Sequence, residues 1–177
     1  MKRLMLVVGL LIALAAFWAV LATAQEGKEA KASDAPAHEY VGATKCKICH
    51  KPEFTAWEGT PHAKAFDVLS DEEKKKEECV GCHITGTTAK DELLEGVQCE
   101  ACHGPGGDYK SAKIMNKKKW AAEPEAHKKM AMEAGLIYPT EDNCKRCHKK
   151  EGNPNFKEFD FAKMKDKVHP VAAEATE

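Results

Sequence analysis

Gly96-Val97-Gln98-Cys99-Glu100-Ala101-Cys102-His103-Gly104-Pro105-Gly106 carries at its centre two cysteines three positions apart, followed at once by a histidine. The same arrangement recurs at Cys46-Lys47-Ile48-Cys49-His50, Cys79-Val80-Gly81-Cys82-His83 and Cys144-Lys145-Arg146-Cys147-His148, and the four copies consume all eight cysteines. Thiols at this spacing reach the two vinyl groups of one haem and form thioethers, while the next imidazole is held under the iron as proximal ligand. The chain therefore reads as a carrier of four covalent haems c, with His50, His83, His103 and His148 as proximal ligands. Tetrathiolate zinc sites or a thioredoxin-like dithiol leave the four histidines unexplained. Eight cysteines among residues 25–177 are also about 5%, too few for a disulfide scaffold.

Working outward, Met1-Lys2-Arg3 is a basic start, Leu4 to Ala22 is almost unbroken apolar, and Ala22-Thr23-Ala24 is a small-x-small cleavage pattern. Residues 1–24 read as a signal peptide, with a retained anchor as the alternative. Either sends the rest across the membrane, where c-type haem is attached. The expected location is the periplasm, or else the outer side of the membrane as an extracellular or anchored protein, with membrane contact only if the segment is retained. Residues 25–39 read as a flexible leader, 40–170 as the haem domain and 171–177 as a flexible tail.

Composition agrees with a core that is not made of side chains. Residues 25–177 hold only 19 Leu, Ile, Val and Phe, about 12% of that segment, where less than roughly 20% signals a chain unable to fold alone. An ordinary aliphatic core is excluded, and haem is what remains to fill the middle. The fold class that follows is mainly α with long loops, a small polypeptide wrapped around four haems. In the same segment 25 Lys and Arg face 28 Asp and Glu, so no basic nucleic-acid footprint exists. The motifs start 33, 20 and 45 residues apart, which excludes an array of identical modules.

Local patterns place several helices. Thr60-Pro61 starts one whose face carries His62, Phe66 and Leu69. Ser70 and Glu73 form a capping box for a charged helix to about Glu78. Lys110 to Ala134 reads as two helices split at Pro124, and Thr140 caps the helix bearing the fourth motif. Thr85-Gly86-Thr87 reads as a turn, and alternation of period two is visible only briefly near Glu95 to Gln98. Close passage over haem is the reason expected for the glycines of Gly104 to Gly107.

Four histidines, His38, His62, His127 and His169, are left over, one for each haem. That parity suggests bis-histidine irons throughout. His62 sits on an apolar helical face. His127 shares one with Met130, Ala131 and Ala134, and His169 ends one formed by Phe161, Met164 and Val168. His38, in the leader, would ligate its own chain's haem, a neighbour's, or none. The methionines at 115, 130, 132 and 164 read as packing residues.

Residues Tyr40 to Pro170 resemble the tetrahaem cytochrome c-554 family. The likeness rests on Cys46 to His50 followed by Thr60-Pro61-His62-Ala63-Lys64, on Cys82-His83-Ile84-Thr85-Gly86, on the Gly96 to Gly106 block, and on Val168-His169-Pro170. It implies His62 as distal ligand of the third haem, His169 of the fourth, and a second haem that can be five-coordinate. The family's histidine just after the third motif is missing here: Tyr109 stands nearby and no histidine follows until His127. The first haem's ligand is then sought between His127 and His38. The expected function is an exported electron carrier between redox proteins, since four haems in so short a chain must lie within exchange distance. The alternatives are a haem enzyme reducing nitric oxide, nitrite or peroxide at an open second haem, and a polymeric extracellular conduit self-associating through His38.

Overall fold

Helices of four to ten residues, each too short to persist alone, dominate the computed structural model, which describes residues 38–169. The expected signal segment, residues 25–37 of the leader, Pro170 and the tail lie outside the described residues. In order come α1 (Ala43–Cys46), α2 (Lys51–Glu58), a 3-10 turn (Glu73–Lys75), α3 (Glu77–Val80), β1 (Ile84–Thr87), β2 (Leu93–Glu95) and α4 (Cys99–His103). Then follow α5 (Lys117–Ala122), α6 (Pro124–Glu133), α7 (Glu141–Lys145), α8 (Phe161–Met164) and a 3-10 turn (Lys165–Lys167). Isolated helices below about 12 residues are marginal in water, so these depend on what they pack against. Each cysteine motif is seated on one: α1 ends at Cys46, α3 contains Cys79, α4 is the third motif itself, and α7 contains Cys144.

The helix starts follow the sequence signals. Pro124 opens α6, the Asn116 side chain accepts from Lys119 N, and Asp160 accepts from Lys163 N. Thr140 and Asn143 form the capping box of α7.

Three expectations are corrected. The segment after Pro61 is a series of three-residue turns, not an α-helix, with Lys64 N donating to Pro61 O and Ala65 N to His62 O. The His62 carbonyl also accepts from Val97 N at 2.9 Å, so a tertiary contact takes the acceptor that a helix would have given to residue 66. The Ser70–Glu73 box forms, with Ser70 N donating to Glu73 Oε2 at 2.9 Å. It yields only a 3-10 turn, because Lys76 is extended (φ -103°, ψ 119°) before α3 restarts at Glu77. A run of eight charged residues, Asp71 to Glu78, has no apolar face to bury.

The third correction is a hairpin. β1 and β2 pair antiparallel, Ile84 opposite Glu95, Gly86 opposite Leu94 and Thr87 opposite Leu93, with a bulge between Ile84 and Gly86. Thr85, in the bulge, turns its hydroxyl to Gly96 O (2.8 Å) and accepts from Gln98 N (2.7 Å), which ties the hairpin to the start of α4.

Buried residues are few: Ala43, Phe54, Tyr109 and Ala131 among the apolar, and Glu100 and His127 among the polar. They cluster around α1, α2, α4 and α6, beside the first and third motifs.

Candidate functional site

The third motif owes its position to a buried carboxylate. Glu100, 1% exposed, accepts from Val41 N (3.0 Å), Gly42 N (2.7 Å) and Gly106 N (2.6 Å), so three backbone donors compensate its desolvation. Gln98 Oε1 accepts from Ala43 N at 2.8 Å, and the Tyr109 hydroxyl donates to Gly104 O at 2.9 Å. The chain before α1 is thereby sewn to both ends of α4.

The glycines after His103 serve the same seam. Gly104 has φ +76°, and a Cβ there would lie 2.3 Å from Gly135 O; one on Gly107 would lie 2.8 Å from Glu39 O. Close approach of other backbone is a reason for both glycines that the sequence did not suggest.

This seam makes neighbours of the motifs. The Cys46 and Cys99 thiols adjoin, and this neighbour together with burial pushes the Cys99 thiol up. Cys147 is pushed up to about 12, first by burial and next by the Cys82 thiol beside it. Between the two pairs, Arg146 Nη2 donates to Ala101 O at 2.7 Å, and Cys144 lies near enough to add to the upward shift that burial gives Cys102. Contact thus runs from the first motif to the third, the third to the fourth, and the fourth to the second. None of the eight cysteines is joined to another in a disulfide.

A cavity of about 730 Å³ opens between the first and third motifs, lined by Cys46, Cys49, His50, Cys99, Cys102 and His103. Phe54, Trp57, Tyr109, Trp120, Met115, His62 and His169 complete its wall. The volume is within the roughly 300–1,000 Å³ of cofactor and ligand sites. Donors for two covalent haems converge on an aromatic-walled space, so the residues present fit the group that the motifs imply.

The imidazoles are prepared as ligands. His103 Nδ1 pairs with Ile137 O at 3.3 Å and His83 Nδ1 with Ala65 O; with the proton on Nδ1, Nε2 is left for a metal. Phe159 stacks on His148 with ring centroids 4.5 Å apart and planes at 18°. Burial lowers the pKa of His62, His103 and His148 below the ordinary histidine range, with nearby His148 adding to the effect at His62. All three therefore favour the neutral form that binds iron. His50 is more exposed, with Nδ1 4.0 Å from Glu53 Oε2.

Two imidazoles sharing one iron, each bound at about 2.0 Å, have ring centroids roughly 6 Å apart. His62 and His148 stand at 6.0 Å, and His103 and His169 at 6.1 Å. Each of these two histidines stands near a motif histidine, His62 near that of the fourth motif where the likeness implied the third haem, and His169 near that of the third where it implied the fourth. His62 faces the fourth motif and His169 the third, because the Val168-His169 end reaches into the cavity beside His103.

The other two are elsewhere. His127 is buried on α6, its Nδ1 on Ile114 O at 3.1 Å and its ring 6.1 Å from that of Trp120. His38 pairs with Asp108 Oδ2 at 2.7 Å, its ring where a Cβ on Gly135 would be, 2.7 Å from Cδ2. Neither is among the residues lining the cavity of His50. Sequence reasoning missed Glu100, whose only signal was an acid inside a haem motif. It also missed Trp57, whose Nε1 donates to Val97 O at 2.8 Å.

Residues 45–104 match the family described as Cytochrome c554 and c-prime. Cytochrome c-554 of Nitrosomonas europaea is 32% identical over 152 residues, which cover 70% of this chain and 62% of that protein. The chain thus spans about three fifths of that relative's length. The reduced-state structure of cytochrome c554 from the same organism superposes with a TM-score of 0.54 at 24% identity, covering 76% of this chain and 85% of the other. That likeness shows the fold: short helices and loops with a small two-stranded sheet.

Proposed function

Because residues 45–104 belong to the cytochrome c554 family, we propose that the protein is an exported c-type cytochrome that carries electrons between redox proteins. Its cofactor is haem c, four per chain and covalently held. Residues 1–24 direct export, which haem attachment requires, and residues 40–170 form the haem-bearing domain. Cys46 and Cys49, Cys79 and Cys82, Cys99 and Cys102, and Cys144 and Cys147 are the four attachment pairs. His50, His83, His103 and His148 are the proximal ligands, with His169 opposite His103 and His62 opposite His148.

One observation carries this reading: the motifs adjoin in the unbroken order first, third, fourth, second. When bound, haem iron supplies reversible one-electron chemistry, with potential set by axial ligands, hydrogen bonding and burial. The chain supplies what tunes it. The Ile137 carbonyl orients His103, the stack of Phe159 orients His148, and Phe54, Trp57 and Trp120 keep water from the first and third motifs.

Haem propionates add negative charge to a segment already holding 28 acids against 25 bases, so partners dock through a basic patch. The test has two parts. Intact mass of the exported protein should correspond to four haems, and electron transfer to a basic redox protein should slow as salt rises past about 0.1 M, where the Debye length is about 10 Å. Fewer than four haems overturns the attachment reading, and a salt-independent rate overturns the docking reading.

A further inference from the structure

Resting on the reading that Cys46, Cys49 and His50 hold a haem, we propose that Met115 is the distal ligand of that first haem, making it a His/Met centre beside bis-histidine ones. The spare histidines are accounted for elsewhere, although His62 and His169 also line the cavity. His62 and His169 stand at iron-sharing distance from His148 and His103, and His38 is engaged by Asp108. His127 lies on α6 with its ring against Trp120, and it is Trp120, not His127, that lines the cavity.

Met115 lines the cavity that Cys46, Cys49 and His50 line. Its backbone is held from two sides: Ile114 N and Met115 N both donate to Ser111 O, at 3.0 and 2.9 Å, and His127 Nδ1 pairs with Ile114 O at 3.1 Å. His127 is thus a positioning residue, a buried imidazole that grips the peptide next to Met115. A thioether sulfur is a soft neutral donor suited to haem iron and raises its potential relative to imidazole. Lys117 also borders the cavity, but an ammonium carries three donors and no lone pair for a metal. The feature that read as packing in the sequence becomes the ligand in the fold.

The exported holoprotein, Met115→Leu and Met115→His are compared by intact mass, ferric absorption and magnetic circular dichroism in the far red to near infrared, carbon monoxide binding and a potentiometric titration. The parent should show the methionine-to-iron charge-transfer band at an intensity of one haem in four, and one of the four midpoint potentials well above the rest. Met115→Leu should abolish the band and add one further carbon-monoxide-binding haem. Met115→His should abolish the band, stay low-spin, and move only the highest potential downward. A parent without the band, or variants that change none of these, overturns the assignment. A parent without the band, in which His127→Leu converts one low-spin haem into a carbon-monoxide-binding one while the Met115 variants are silent, overturns it in favour of His127. Four haems by mass in every variant would leave the attachment reading intact, so its failure is separately visible.

Discussion

The part of the molecule around the first and third motifs and the part around the second and fourth are built on different principles. The former contains every buried residue among those described, whereas no described residue in 60–95 or 132–169 is buried. It has a polar clamp at Glu100, an aromatic wall and tight glycine contacts. The latter is held by exposed ion pairs such as Lys145–Glu141 and Lys163–Asp160 and by a two-stranded hairpin, devices that add little alone. The four Cys-x-x-Cys-His motifs are distributed over both, so the second part is expected to depend on haem for what the first obtains partly from polypeptide.

The sharpest way to break this contrast is to withhold haem. Counted as three to four aromatic side chains of about 150–250 Å² each, a haem buries roughly 450–1,000 Å², an upper bound of ~11–25 kcal/mol. The chain with all eight cysteines replaced by alanine should be largely unfolded. With only Cys79, Cys82, Cys144 and Cys147 replaced, hydrogen exchange should lose protection in 60–95 and 139–169 while amides of 41–58 and 98–109 keep part of theirs. Equal loss in both parts would erase the distinction.

A smaller effect sharpens it. Glu100→Ala leaves three buried N–H groups without an acceptor and should cost about 3–5 kcal/mol in denaturant unfolding of the holoprotein. Lys145→Ala, which removes an exposed ion pair in the other part, should leave the midpoint unmoved. Smallest is Tyr109→Phe, which removes one buried hydrogen bond to Gly104 O and should cost about 1 kcal/mol. A Glu100 variant as stable as the parent would show that haem carries the first part as well.

Much of the site was legible because thioether chemistry demands a fixed local spacing, so Cys99-Glu100-Ala101-Cys102-His103 declares its ligands without reference to the fold. Helix starts at Pro124 and Thr140 were legible for equally local reasons, a proline that fits the first helical turn and a cap whose partner is three residues on. The β1–β2 hairpin was not, since Thr85-Gly86-Thr87 carries turn residues and becomes a strand only through its partner Leu93-Leu94-Glu95. The distal pairing was not legible either. Nothing near His62 in the chain says that it faces His148, 86 positions away.

What the sequence by itself determined is therefore the four Cys-x-x-Cys-His spacings and the reading of attachment that follows from them, the likeness to a tetrahaem family and the shortage of apolar side chains, all of which reside in composition or in stretches of five residues. What only the tertiary structure decided is which motifs adjoin, which spare histidine stands near which motif histidine, and that Met115 rather than His127 lines the cavity between the first and third motifs. These depend on contacts across about 42 to 86 positions, where the outcome is set by a buried carboxylate, close backbone approaches and the shape of a cavity that no local spacing encodes.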